Sequence, residues 1–229
     1  MKNMLSNKKH LVLIIVILVS FARIQSEAQT YIGVKRGVSF SQATFDDVDP
    51  NYNMEIVQEQ TQGDITGLIL KFLQDKHAGL LFEFNMIDKG WTQIVDENFK
   101  YKTTLKYLNL YPQSQVVLGK RKFRLFFIGG PYVSYLYDAE SSEIPADQVE
   151  NIPFIYDSER DNKWDFGLGG GGGFSLETKL GNFQIDGKFS LGLSNIIEKE
   201  QDTDPEFSRN QTIEVSFSYS YPLFNKKDN

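Results

Sequence analysis

The sequence predicts an all-β chain, an eight-stranded antiparallel up-and-down transmembrane β-barrel preceded by a cleaved signal peptide. Three observations carry this. Apolar residues recur with a period of two in one stretch after another. The connections between those stretches alternate long and short. The polar faces also hold more charges than the dry core of a soluble barrel accommodates, because each unpaired buried charge is costly.

Composition sets the outer limits. The 229 residues include no cysteine, 41% hydrophobic and 14% aromatic side chains, which allows one domain with a sizeable buried surface and excludes disulfides and thiol-ligated metals. Lys2, Lys8 and Lys9 precede an apolar run from Leu11 to Phe21, and Ser26 to Ala28 offers small residues for cleavage. Residues 1–28 therefore read as a signal peptide; the run is well short of the roughly 20 residues an anchor helix needs. Residues 29–225 read as the barrel domain and 226–229 as a short polar tail. Cleavage moves the formal charge from −6 to −9, since it removes four basic residues and Glu27. An acidic exported protein is a poor nucleic-acid binder.

The strands follow in order. "YIGVKRGVSFS" sets Ile32, Val34, Val38 and Phe40 on one face, and "DITGLILKFL" ends at Leu73. "HAGLLFEFNMIDKGW" sets Leu80, Phe82, Phe84 and Met86 against Glu83, Asn85 and Lys89. "YLNLYPQSQVVLG" sets Leu108, Leu110, Val116 and Leu118 against Tyr107, Asn109, Tyr111, Gln113 and Gln115. "FRLFFIGGPYVSYLY" is apolar on both faces, so the count assigns it no orientation. "KWDFGLGGGGGFSLE" holds a literal G-x-G-x-x-G, yet the two-residue count runs through it: Trp164, Phe166, Leu168, Phe174 and Leu176 oppose Asp165, Ser175 and Glu177. A dinucleotide fingerprint needs a helix after its glycines, and none follows; glycine inside a strand marks a bend or a place where bulky neighbours need room. The last two strands set Phe183, Ile185, Phe189, Leu191 and Leu193 against Asp186 and Lys188, and Ile213, Val215, Phe217, Tyr219 and Tyr221 against Glu214 and serines.

Loop lengths orient the barrel. Long connections (Gln42 to Thr61, Ile94 to Lys102, Asp138 to Asn162, Glu198 to Asn210) alternate with turns of a few residues, which puts every long loop at one end. Outer-membrane barrels keep short turns on the periplasmic side. Aromatics toward strand ends, Tyr31, Phe40, Trp91, Tyr101, Tyr137, Trp164, Tyr221 and Phe224, read as interfacial girdles. Arg36 fits badly. It falls on the apolar face, where an arginine at mid-bilayer costs about 2–4 kcal/mol, so a position near the periplasmic interface or a bulge is expected there.

"GVKRGVSFS", "FEFNMIDKGW", "YLNLYPQ", "FFIGGPYVSYL" and "WDFGLGGGGGFSLE" followed by "GLSNI" resemble, in order and over nearly the whole mature chain, the PorT-like outer-membrane β-barrel family. Arg36 and "LYPQSQ" depart from the family's smaller and more apolar residues. The resemblance implies a small barrel of the cell outer membrane. The namesake is an accessory of a type IX protein secretion system, and such a barrel meets the barrel-assembly machinery during biogenesis.

The polar faces supply the candidate site. Lys35, Glu83, Lys89, Asp165, Glu177, Asp186, Lys188 and Glu214 read as a structural lumen network, carboxylates pairing with lysines to plug a barrel too narrow for a channel. No catalytic, cofactor-binding or metal residue is assigned. A general acid/base pair among these carboxylates is the chemical alternative. An outer-membrane hydrolase or acyltransferase would need a histidine base, and the mature chain offers only His77 beside a short turn. A soluble lipocalin-like carrier, with the apolar face inside, is the other alternative. The first and third long loops are acidic, the third with eight acids against Arg160 alone. They are the expected contacts for other envelope or secretion proteins, or for cations bridging to lipid phosphates. "IPADQVENIPFIY" predicts partial order or docking there.

Overall fold

The computed structural model describes residues 29–46, 58–73, 77–94, 99–119, 122–144, 154–199 and 205–223. The expected signal peptide and polar tail, Phe224 and most of the first long loop lie outside the described residues. Among the described residues there are nine strands: β1 (Gln29–Asp46), β2 (Gln58–Glu59), β3 (Thr61–Leu73), β4 (Ala78–Ile94), β5 (Lys100–Leu118), β6 (Phe123–Ser141), β7 (Trp164–Thr178), β8 (Gly181–Gly192) and β9 (Phe207–Pro222). β2 is a two-residue lead into β3, and both pair with β4, so the ring itself has eight members. Each pairs antiparallel with its neighbours, and β1 pairs with β9 to close it.

Closure fixes the tilt. A row of paired residues followed once round the ring, Thr30, Phe72, Leu80, Ser114, Gly129, Gly170, Phe189 and Ile213, returns to β1 at Phe40, ten residues beyond its start. A stagger of that size tilts eight strands by about 40°.

The two-residue period sorts side chains as expected. Val34, Leu68, Phe84, Leu108, Phe166, Ile185 and Phe217 are among the exposed outward residues, while Lys35, Glu83, Asn109, Asp165, Lys188 and Glu214 point inward and are buried. This overturns the lipocalin-like alternative, which needs the apolar face inside. β6, unassigned in the sequence, turns Phe127 and Tyr135 out and Phe126, Ile128, Tyr132 and Leu136 in. Its inward apolar residues join two packed layers. Phe126 and Ile128 meet Ile69, Leu81 and Val117 toward the short-turn end; Leu136 meets Ile65, Ile87, Trp91 and Leu105 toward the long loops. Both faces of β6 are apolar because one meets lipid and the other these layers. The register shifts between Lys106 and Tyr107, which leaves Tyr137 as an extra residue bulged outward.

Three girdle assignments are corrected. Tyr31, Trp91 and Tyr101 are buried inside the barrel. The reason is parity: Tyr31 shares the face of Lys35, Trp91 that of Lys89, and Tyr101 that of Tyr107. Tyr137, Trp164 and Tyr221 face outward and are exposed, and Phe40 is half-buried. Arg36 is corrected too. No register shift interrupts β1, and Arg36 faces outward midway along the apolar band, not at its edge.

The glycines of β7 lie between β6 and β8, inside the strand. A Cβ at Gly169 would come within 1.9 Å of the Tyr111 hydroxyl, and one at Gly167 within 2.8 Å of the Tyr132 ring. The bare inner wall of β7 is the floor on which the large tyrosines of β5 and β6 lie.

Candidate functional site

The lumen is polar in three levels, each built by strands that the stagger brings to the same height. At mid-height, Lys35 Nζ and Lys188 Nζ both donate to Glu83 Oε2, at 2.9 and 2.7 Å, and Asn85 Nδ2 donates to the same oxygen at 3.0 Å. Glu214 Oε2 lies 3.2 Å from Lys188 Nζ and 3.9 Å from Lys35 Nζ, and Asp186 Oδ2 lies 3.6 Å from Lys35 Nζ. These five side chains are at most 6% exposed. Such burial strips the charges of water, and only mutual pairing offsets that cost. Lys188 also lies 4.4 Å over the Tyr111 ring, whose negative face favours an ammonium.

Toward the long loops, Lys89 Nζ donates to Asp165 Oδ2 at 2.8 Å and sits 4.4 Å above the Tyr132 ring. Asp165 is fully engaged: it also accepts from the Tyr132 hydroxyl at 3.2 Å, Ser194 Oγ at 3.2 Å and Asn210 Nδ2 at 3.0 Å. Asn210 is buried in that contact. Toward the short turns, Lys71 Nζ donates to Asn182 Oδ1 at 3.1 Å and Gln184 Oε1 at 2.8 Å, and Glu177 accepts from Asn182 Nδ2 at 2.9 Å and from the Tyr31 hydroxyl at 3.4 Å.

The eight predicted network residues are thus all inside, but they form three groups. Lys35, Glu83, Asp186, Lys188 and Glu214 meet; Lys89 and Asp165 pair separately; Glu177 stands with Tyr31 and Asn182. Sequence reasoning missed Lys71, Tyr132, Asn182, Gln184 and Asn210. Lys71 was findable, since it keeps the two-residue spacing of Ile65 and Ile69. Tyr132 was not, because both faces of β6 are apolar.

Chemically the arrangement is one of mutual neutralisation. Every carboxylate of the predicted set lies within hydrogen-bond or ion-pair reach of an ammonium, amide or phenol. His77 is exposed at the short-turn end, its carbonyl accepting from Val117 N at 2.6 Å, far along the chain's fold from Asp165. Among the described residues no group of three or more histidines and carboxylates is arranged to hold a metal ion.

The described part of the third long loop folds onto the barrel's own mouth. Phe154 and Tyr156 are buried, the Phe154 ring tilted against that of Phe45 with centroids 4.3 Å apart, and the Phe154 carbonyl accepting from Gln93 Nε2 at 2.6 Å. Asp161 organises the turn, accepting from Asp157 N at 2.8 Å, Arg160 Nε at 2.7 Å and Glu198 N at 3.1 Å. Burial first, and then the charges of Asp161 and Asp157, push the Tyr156 phenol up to about 12. Phe154 and Tyr156 of this loop therefore serve its own docking.

Comparison with known proteins agrees with this architecture. The family described as outer membrane protein beta-barrel domain matches residues 25–198. No curated protein matches the chain in sequence. Among solved structures, the outer membrane protein OprG from Pseudomonas aeruginosa is similar, with a TM-score of 0.53 at 10% identity over 86% of this chain and 98% of that one. Neisserial surface protein A gives 0.43 at 7% identity over 83% and 97%, and the attachment invasion locus protein of Yersinia pestis, in complex with a heparin analogue, 0.41 at 12% identity over 84% and 99%.

Proposed function

The chain belongs to the outer membrane protein beta-barrel domain family, and from that premise we propose that it is a structural and interaction component of the cell outer membrane rather than an enzyme. In this reading its lumen is plugged by its own side chains and its work is done by the long acidic loops at one end. The observation that favours it is the mid-height ion cluster: Lys35, Lys188, Glu83, Asp186 and Glu214 are buried together with their charges in mutual reach, and apolar layers lie toward either end. A substrate would have to displace charges that only each other's company keeps stable.

Its specific form is a PorT-like accessory of a type IX-like secretion pathway, exported by the 1–28 signal and inserted by the barrel-assembly machinery. The sequence resemblance supports this form. Two experiments test the two layers. Reconstituted in a planar bilayer, the protein is expected to give no ion-conductance steps, whereas sustained steps contradict a plugged lumen. Deleting the gene from its host is expected to block export of proteins that carry type IX secretion signals; unchanged export removes the secretion role and leaves the plugged barrel standing.

A further inference from the structure

Arg36 faces lipid tails. Its exposed side chain lies on the outward face of β1, between Ile32 and Val34 on one side and Val38 and Phe40 on the other. Phe217, its partner on β9, is flanked likewise by Tyr221, Tyr219, Val215 and Ile213. Thr30, the next polar outward residue toward the short turns, is six positions away, about 20 Å along the strand. An arginine side chain does not span that distance to reach the headgroups. Among the described residues none hydrogen-bonds or ion-pairs with Arg36.

The same patch carries the opposite charge. Asp64 faces outward from β3 beside Val38, and Thr66 stands directly opposite Arg36. Asp64 is one outward step beyond Thr66, about 7 Å along the strand and within the length of an arginine side chain. The patch is also flat. Val34, Arg36 and Val38 on β1 and Leu68, Thr66 and Asp64 on β3 include no aromatic, whereas β7 and β8 present Trp164, Phe166, Phe174 and Phe189 to lipid.

We propose that this β1–β3 face is the contact surface of a homodimer within the membrane. The second copy meets the first across a two-fold axis that runs along the membrane normal between β1 and β3. A two-fold contact uses one self-complementary patch twice, and a patch with Arg36 on one strand and Asp64 on the next has that property. Each Arg36 reaches the other copy's Asp64, so two charges leave the lipid as two charge-assisted pairs. The short side chains of Val38 and Thr66 let the two sheets approach closely. A partner of different sequence would need only a carboxylate; the presence of both signs on one flat patch selects a second copy.

The chain has no cysteine, so single-cysteine variants report cleanly. Thr66→Cys and, on the far side of the ring, Leu168→Cys are expressed in a Gram-negative outer membrane and treated with a short bismaleimide. Dimer is expected from Thr66→Cys and not from Leu168→Cys. Adding Arg36→Leu to Thr66→Cys is expected to abolish the dimer band. Arg36→Asp alone does the same, and Arg36→Asp with Asp64→Arg restores it. Each variant must keep its fast-migrating unboiled band, which shows that the barrel itself has folded. Equal cross-linking at both positions, or a Thr66→Cys dimer untouched by Arg36→Leu in a folded barrel, overturns the proposal.

Discussion

Replacing Lys188 by methionine is expected to cost far more stability than replacing Asp186 by asparagine, although both sit in the same buried cluster. Lys188 Nζ touches Glu83 at 2.7 Å and Glu214 at 3.2 Å, with Tyr111 beneath it. Its removal leaves Glu83, Asp186 and Glu214 facing Lys35 alone, three formal negative charges against one. Stranding buried charges in this way costs about 3–5 kcal/mol. Asp186→Asn works in the other direction, because the cluster holds three carboxylates against two ammonium groups and the substitution balances them. Asp186 Oδ2 also accepts no hydrogen bond from the described residues, so little is lost, and a change within about 1 kcal/mol is expected. The assay is urea unfolding in detergent micelles, followed by the fraction of protein that keeps its fast unboiled mobility. Equal losses in the two variants, or a neutral Lys188→Met, would refute the reading of the cluster as carboxylates held in place by two buried lysines.

The other predictions are shorter. Gly173→Ala would drive its Cβ to 1.9 Å from the Ile185 carbonyl, whereas at Gly187 the nearest atom is 3.9 Å away; Gly173→Ala is expected to lose the folded band and Gly187→Ala to keep it. Trp91 is fully buried while Trp164 is exposed to lipid, so brominated lipids should quench emission in Trp91→Phe, which retains Trp164, and spare it in Trp164→Phe. The Tyr156 phenol, raised to about 12 by burial and then by Asp161 and Asp157, stabilises the loop cap fully below its ordinary value near 10. That contribution is lost as pH rises toward 12. Trp91 emission should report the loss, and Tyr156→Phe should flatten it.

Much of this structure was legible in the sequence because a barrel wall repeats every two residues, and a one-residue error would put Lys35, Glu83 or Glu214 into lipid. The inward set was therefore recoverable strand by strand. The aromatic girdle was less so: Trp91 and Tyr101 lie near strand ends, but their parity with Lys89 and Tyr107 places them inside. Position along the strand suggested one answer and parity gave the other. How the eight network residues divide into three levels depends on the stagger between strands, which pairing registers fix and a single strand's pattern does not. Tyr111 and Tyr132 resting on Gly169 and Gly167 are contacts of the same kind.

The most direct test of the inside-out arrangement is a cysteine scan along β8 in intact outer membranes. Cysteines at Gln184, Ile185, Asp186, Gly187, Lys188, Phe189 and Ser190 are each tagged with a polarity-sensitive fluorophore small enough to keep the fast unboiled band. A period of two is predicted, with the bilayer-quenched, blue-shifted signals at Ile185, Gly187 and Phe189 and the others shielded from lipid quenchers. Lipid quenching that is uniform along the strand, or strongest at Gln184, Asp186, Lys188 and Ser190, would contradict a barrel whose apolar face meets the membrane and whose charges fill its centre.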